Sequence, residues 1–175
     1  YELITVGGFV DHPITLASTA PFFNNDDRGE DWGADINDQY LDANTVALDT
    51  WLAIGGASDA HWGILKAEDT DGSIVGGTNN DGGSNSVAGG LLVNTTPATG
   101  IALTQADGLI QGEVPSVVSV GTVPGILNNG DLSYTSDNFA WAVLGGAAGN
   151  TPDNKILIGQ FTTAGTFTFC LNVTL

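Results

Sequence analysis

The last ten residues of the chain alternate between apolar and polar side chains without exception. The apolar positions are Phe167, Phe169, Leu171, Val173 and Leu175. A period of two is the period of a β-strand, whose successive side chains point to opposite faces. The pattern therefore predicts a strand over residues 166–175. We expect its apolar face to enter an apolar environment, supplied either by this chain or by a neighbouring copy.

Turn-forming residues divide the rest of the chain into short segments. The 25 Gly residues, with Asn-Asn-Gly, Asp-Gly and Thr-Pro sequences, separate about ten segments of strand character. Short strands at this spacing predict one all-β domain over residues 1–175, an antiparallel β-sandwich of jelly-roll-like or immunoglobulin-like topology. The expected strands are residues 2–6, 44–54, 60–66, 87–93, 100–104, 109–114, 117–123, 138–144, 155–162 and 166–175.

Residues 44–54 form the second clear alternating segment. Val46, Leu48, Leu52 and Ile54 fall on one face. The opposite face carries Asp49 and Trp51, and we expect Trp51 to be partly exposed because it shares this face with Asp49. The segment is predicted to be a core strand.

The charge balance restricts the partners of the chain. Three Lys and Arg residues against 20 Asp and Glu give a formal net charge of -17, which repels phosphate backbones and anionic lipids and attracts divalent cations. The sequence has no Met and no apolar run long enough to span a membrane. We expect a processed, secreted protein at the cell surface or outside the cell, with no nucleic-acid partner and no membrane insertion.

Two polar segments are candidates for calcium binding, because Ca²⁺ takes oxygen ligands from Asp, Asn and backbone carbonyls. They are residues 24–42 and 69–86, both predicted to be surface loops. Neither matches the EF-hand spacing, and the alternative is that both are solvated acidic loops. The candidate ligands are Asp26, Asp27, Asp31, Asp35, Asn37 and Asp38 in the first loop, and Asp69, Asp71, Asn80 and Asp81 in the second.

No group of residues has the pattern of a catalytic site. Ser58, Asp59 and His61 lie within four positions, whereas catalytic triads assemble from separate elements, and no G-x-S-x-G motif surrounds Ser58. The single Cys170 has no cationic neighbour in sequence that would activate its thiolate. It could instead link two subunits through a disulfide. The sequence therefore predicts a protein that is not an enzyme.

Two further residue types suggest contact with sugars. The four Trp residues are candidates for an aromatic platform that stacks on sugar rings, although core positions are the commoner use of Trp; they are Trp32, Trp51, Trp62 and Trp141. Asn94 and Asn172 each begin an N-x-T acceptor sequence for N-glycosylation. We expect Asn172 to lie on the polar face of the last strand.

Two blocks of sequence resemble secreted β-sandwich proteins of marine and environmental bacteria. The blocks are residues 48–55 (LDTWLAIG) and 154–163 (NKILIGQFTT), the latter followed by Gly165 and the alternating C-terminal segment. The resemblance implies a secreted β-sandwich. It assigns no functional residues.

These observations favour a structural role outside the cell. We expect a subunit of a filament, pilus-like fibre or surface layer that assembles with copies of itself through β-strand contacts. Residues 1–16 are rich in apolar side chains and are a candidate donor strand, with the first strand of the chain's own sandwich as the alternative. The alternative function is a calcium-dependent module that binds carbohydrate or another ligand.

Overall fold

The computed structural model describes residues 2–37, 46–57, 108–110, 116–149 and 154–175. These residues form nine strands: β1 (Glu2–Gly7), β2 (Ile14–Ser18), β3 (Trp51–Leu52), β4 (Val117–Val120), β5 (Ser133–Ser136), β6 (Ala140–Ala148), β7 (Gly159–Gln160), β8 (Phe167–Cys170) and β9 (Asn172–Thr174). Single 3-10 turns occupy Gly33–Asp35, Val46–Leu48 and Gly125–Leu127.

The strands form three antiparallel sheets. The largest has the order β4-β6-β1-β9, the second β5-β2-β8, and the smallest β3-β7. No α-helix occurs in the described ranges. The prediction of an all-β chain is confirmed, and the sheets are consistent with one domain. The choice between jelly-roll-like and immunoglobulin-like topology stays a prediction.

The N-terminal segment forms the inner strand of both larger sheets. β1 lies between β6 and β9, and β2 lies between β5 and β8. A tight turn joins them, in which Phe9 and His12 exchange backbone hydrogen bonds of 3.0 and 2.8 Å. The chain thus crosses from one sheet to the other within a few residues.

The C-terminal segment crosses between the same two sheets in the opposite order. β8 pairs with β2 and β9 pairs with β1, so the predicted continuous strand over residues 166–175 is broken at Leu171. The Asn172 side-chain Nδ2 donates hydrogen bonds to the carbonyl oxygens of Gly7 (3.1 Å) and His12 (2.7 Å). This amide joins the two crossings.

One buried cluster receives side chains from both larger sheets. The four-stranded sheet contributes Val6 and Trp141 among others, and the three-stranded sheet contributes Ile14 and Leu16. The Trp141 indole Nε1 donates a 3.0 Å hydrogen bond to the carbonyl of Ala53, which satisfies its one polar atom inside the core. Burial of these side chains is the main source of stability.

The prediction of a strand over residues 44–54 is wrong over residues 46–50. Val46–Leu48 is a 3-10 turn, and only Trp51–Leu52 pairs as a strand. Trp51, expected to be partly exposed, is buried, and so is Asp49. A turn does not alternate its side chains between two faces, so the period of two gave the wrong exposure here.

The other predicted strands are found in part. Strands expected over residues 117–123, 138–144 and 155–162 correspond to β4, β6 and the short β7. Residues 108–110 are not a strand. The strands expected over residues 60–66, 87–93 and 100–104 lie outside the described residues.

Phe169 and Val173, on the apolar face of the C-terminal segment, are more exposed than core residues. Phe169 lies opposite buried Leu16, and Val173 lies opposite buried Val6. Directly paired residues share a face of the sheet, so both side chains belong to the inner face, as the alternation indicated. However, they are 65% and 55% exposed because β8 and β9 are, among the described strands, the last of their sheets. Neither residue enters the chain's own core.

We predict that Phe169→Ala lowers the unfolding free energy of the isolated chain by about 1 to 2 kcal/mol, because only about a third of the Phe169 surface is buried. Phe139 is fully buried, so Phe139→Ala should cost about 3 to 5 kcal/mol. Urea denaturation of the two variants, at a concentration where the protein is monomeric, compares them. Equal losses of stability would contradict the assignment.

Candidate functional site

Residues 24–37 form the described part of the acidic loop predicted over residues 24–42. The loop follows Phe23, whose backbone N–H donates a 2.8 Å hydrogen bond to the carbonyl of Thr162. It ends in the 3-10 turn Gly33–Asp35. Between these points Leu52 donates its N–H to the carbonyl of Asp31 at 3.0 Å. The loop is therefore fixed to β3 and to the segment after β7.

The carboxylate of Asp49 is the central support of the acidic loop. Its Oδ1 accepts a hydrogen bond from the backbone N–H of Asn25, and its Oδ2 accepts one from the backbone N–H of Glu30, both at 2.8 Å. The side chain is 0% exposed. One buried side chain therefore holds two points of the loop five residues apart and satisfies two backbone donors that a loop would otherwise leave to water.

Gly29 allows the loop to pass close to this carboxylate. A Cβ atom added at Gly29 would lie 2.7 Å from both Asp49 oxygens and 2.5 Å from the carbonyl oxygen of Asn25. These contacts are too short for any side chain. The position requires Gly because of the close approach of the backbone.

Two asparagine side chains fix the start of the loop. Asn24 donates from Nδ2 to the Ile126 carbonyl at 3.0 Å and accepts at Oδ1 from the Gly130 N–H at 2.8 Å. Asn25 Oδ1 accepts from the N–H groups of Asp27 and Arg28. The loop is thereby attached to the turn that follows β4, and its own first turn is closed by a side chain.

Burial and mutual repulsion raise the pKa of the carboxyl groups around this support. Desolvation raises the pKa of Asp49 to about 6, against backbone hydrogen bonds that lower it. Desolvation also raises the pKa of Glu30 and of Asp31, and in both residues the charge of Asp35 adds to the effect. Each shift disfavours the charged form of its group.

A cleft of about 400 Å³ opens between the acidic loop and the 3-10 turn Gly125–Leu127. We call it the Trp32 cleft; its described lining is residues 24–26, 29–32 and 127–128. Across it the Asn128 Nδ2 donates a long 3.5 Å hydrogen bond to Asp31 Oδ1. Three acidic residues, two of them consecutive, share this lining with Trp32.

The structure places five of the six calcium candidates of the first loop, but not in one cluster. Asp26, Asp27 and Asp35 are exposed, and Asp27 forms an ion pair with Arg28 at 2.9 Å. Asp31 and Asn37 are half-buried. Within the described part of the chain, no three His, Cys, Asp or Glu side chains are grouped to hold a metal ion. Asp38, Asp69, Asp71, Asn80 and Asp81 lie outside the described residues. Calcium binding stays a prediction.

The other candidate residues have diverse surroundings. Trp51 and Trp141 are buried, and Trp32 is partly exposed. Asn172 is half-buried, with its amide nitrogen engaged at both crossings between the sheets. Cys170 is an exposed thiol on β8. Ser58, Asp59, His61, Trp62 and Asn94 lie outside the described residues.

Sequence reasoning missed the residues that organise the site. Alternation places Asp49 on the face opposite the apolar one, and Asn24, Glu30 and Asn128 carry no signal above the surrounding polar sequence. The sequence does offer one signal, since Asp49 lies inside an apolar segment. A carboxylate buried there requires hydrogen-bond donors as partners. The donors come from residues 19 and 24 positions earlier, so their identity required the tertiary structure.

Two strand edges form a second candidate surface. β4 and β9 are the two ends of the four-stranded sheet. Val120 on β4 is 63% exposed, and Val173 on β9 is accompanied by exposed Leu175. No charged residue occurs in either strand. We call these the β4 edge and the β9 edge.

Comparison of the chain with protein-family models, with curated proteins and with solved structures yields no match. In the described ranges, none of the helical segments has the length and apolar character that crossing a membrane requires.

We predict that ionisation of Asp49 makes the stability of the protein depend on pH. Because its pKa is raised from 3.8 to about 6 on folding, its contribution is fully present below about pH 3.8 and is lost as the pH rises through about 6. The loss amounts to at most about 3 kcal/mol. In Asp49→Asn, the difference in unfolding free energy between pH 4 and pH 7 should shrink by up to this amount.

The matched control is Asp137→Asn, which makes the same charge change at an exposed turn. Urea denaturation at both pH values measures the effect. A pH response of Asp49→Asn equal to that of the wild type would contradict the assignment, as would an equal change in Asp137→Asn.

We predict that calcium chelation lowers the melting temperature if residues 24–42 bind the ion, because a ligand held only by the folded state stabilises it by mass action. The double variant Asp35→Asn, Asp38→Asn should abolish the shift. The same change at Asp107 and Asp131 should leave it intact. Calorimetry with and without chelator measures it, and identical wild-type melting curves would exclude a stabilising ion.

Proposed function

We propose that this protein is an extracellular structural subunit that assembles into a filament or layer with copies of itself through β-strand contacts. The observation that supports the proposal is the β9 edge. There, inner-face apolar side chains lie exposed at the open side of the core, on strands that pair on one side only among the described strands. A strand of a second copy would cover them.

The described edges lack the features that normally prevent association between sheets. Soluble proteins protect edge strands with charged side chains, Pro or bulges. Residues 166–175 contain no charged residue and no Pro, and β4 reads Val-Val-Ser-Val. All the described strands except β1 lack charged residues, so the two edges share this feature with the strands inside the sheets.

The positions of the two edges favour an open polymer. The β4 edge and the β9 edge terminate the same sheet on opposite sides. If the β9 edge of one copy pairs with the β4 edge of the next, each copy adds four strands to a continuous sheet and leaves a new edge exposed. Such a contact between unlike surfaces does not close on itself unless the rotation between copies forms a ring.

The net charge of -17 would control when this assembly forms. Like charges repel at low ionic strength, and the range of that repulsion falls to about 8 Å at 0.15 M salt. Assembly should therefore require salt or a divalent cation.

Donation of residues 1–16 is a distinct form of the same proposal. Within one chain, β1 pairs with β6 and β9 and places Leu3 and Val6 in the buried cluster. A neighbour's strand could occupy the same position in a polymer. Deleting residues 1–16 separates the two forms: a folded monomer indicates a donated strand, and an unfolded chain indicates that the strand belongs to its own sheets.

We predict that Val173→Lys and Val120→Lys each prevent filament growth at 0.15 M salt, because a Lys on an edge strand opposes pairing. Each variant keeps one intact edge. Mixing the two should therefore give dimers and no longer species, formed through the β4 edge of Val173→Lys and the β9 edge of Val120→Lys. Analytical ultracentrifugation measures the sizes.

Val10→Lys is the matched control, since Val10 is 78% exposed in a turn and outside every strand. It should assemble like the wild type. Assembly of Val173→Lys would exclude the β9 edge, and a wild-type protein that stays monomeric at all salt and calcium concentrations would exclude the proposed function.

The Trp32 cleft supports a second candidate function, the binding of carbohydrate or another ligand with the help of calcium. The two functions are compatible, because the cleft is built from the acidic loop and the turn after β4, whereas the contacts for assembly are the sheet edges.

A further inference from the structure

Backbone pairing and a backbone hydrogen bond fix the position of Trp32, and its side chain is partly exposed. Its backbone forms a parallel bridge with Leu52, and its carbonyl accepts a 3.0 Å hydrogen bond from the Asp35 N–H. The ring packs against the main buried cluster and also lines the cleft. A Trp side chain fixed in this way presents an apolar face without further loss of conformational freedom on binding.

The polar groups around the ring are rich in hydrogen-bond acceptors. The acidic residues Asp26, Glu30 and Asp31 line the cleft, while Asn128 supplies a side-chain donor through a weak 3.5 Å bond to Asp31. Such a lining suits a ligand with several donors of its own. Hydroxyl groups provide these donors and can also accept from Asn128.

The floor of the cleft is formed before any ligand arrives. Asn24 is bonded at both ends of its amide, and Asp49 holds the backbone at Asn25 and Glu30. Leu127, which also lines the cleft, is buried. Binding sites for small molecules are usually preformed in this way, and about 400 Å³ lies at the lower end of their size range.

The charge of the lining excludes several ligand classes. Three carboxylates repel phosphates, nucleotides and acidic sugars. A mainly apolar ligand would leave the carboxylates without partners, which is unfavourable. A molecule with one apolar face and many hydroxyl groups, and without negative charge, would provide partners for both the indole and the carboxylates.

We infer that the Trp32 cleft binds a neutral glycan, with one pyranose ring stacked on the indole and its hydroxyl groups bonded to Asp26, Glu30, Asp31 and Asn128. The inference rests on the second candidate function and assigns it a position. It does not depend on assembly, because neither strand edge lines the cleft.

The test is affinity electrophoresis of the full-length protein through gels that contain a neutral polysaccharide: dextran, laminarin or galactomannan. At least one of them should retard the wild type and Val173→Lys equally. Trp32→Ala should weaken retardation roughly tenfold or more, and Asp26→Ala several-fold, because each removes a contact of the stacked ring or its hydroxyls. Asp27→Ala is the matched control: Asp27 is adjacent in sequence and equal in charge but does not line the cleft.

Loss of the whole indole in Trp32→Ala could unfold the loop, so a melting curve is recorded for each variant. Trp32→Phe, which keeps an aromatic ring, and Asn128→Ala are tested in parallel. Trp32→Phe should retain part of the retardation. Retardation unchanged in Trp32→Ala and Asp26→Ala would overturn the cleft inference while leaving carbohydrate binding intact. No retardation by any of the three polysaccharides would overturn both. Retardation that survives a calcium chelator would support the cleft and remove calcium from the function.

Discussion

The pairing of the two chain ends is the constraint on which the rest of the structure depends. β1 pairs with β9 and β2 with β8, so residues at the N-terminus meet residues 149 to 169 positions later. Forming these pairs closes a loop that contains most of the chain, and its entropy cost is recovered only when the sheets bury their shared core. The Asn172 amide joins the two crossings between sheets. The edges at β4 and β9 follow from this arrangement, because it places β1 and β6 inside the sheet.

Asp49 holds the acidic loop together, as the pairing of the two chain ends holds the sheets together. A loop with many carboxylates repels itself and has few apolar side chains to bury. The buried carboxylate gives its backbone N–H groups fixed partners, and Gly29 lets the chain approach closely enough to use them. The cost is the desolvation of a carboxylate, reflected in the raised pKa of Asp49. The shape of the Trp32 cleft depends on this support, which connects the stability of the loop to any ligand that the cleft binds.

The distribution of charge separates the two proposed contacts. Carboxylates line the cleft, whereas the β4 and β9 edges carry none. Electrostatic repulsion therefore acts on the molecule as a whole and is absent from the local surfaces where β-pairing would occur. The proposed assembly should therefore depend on ionic strength, and the proposed ligand of the cleft should carry no negative charge.

The sequence by itself determined the β character of the chain, the acidity of the loop and the face of each C-terminal side chain. These follow from a period of two, from turn residues and from composition, which are local properties. The tertiary structure alone decided that Phe169 and Val173 lie at an open edge, that the alternating segment breaks at Leu171, and that Asp49 is buried. Alternation reports which residues share a face, but exposure depends on which strand lies alongside. That neighbour comes from the far end of the chain, so no local pattern could identify it.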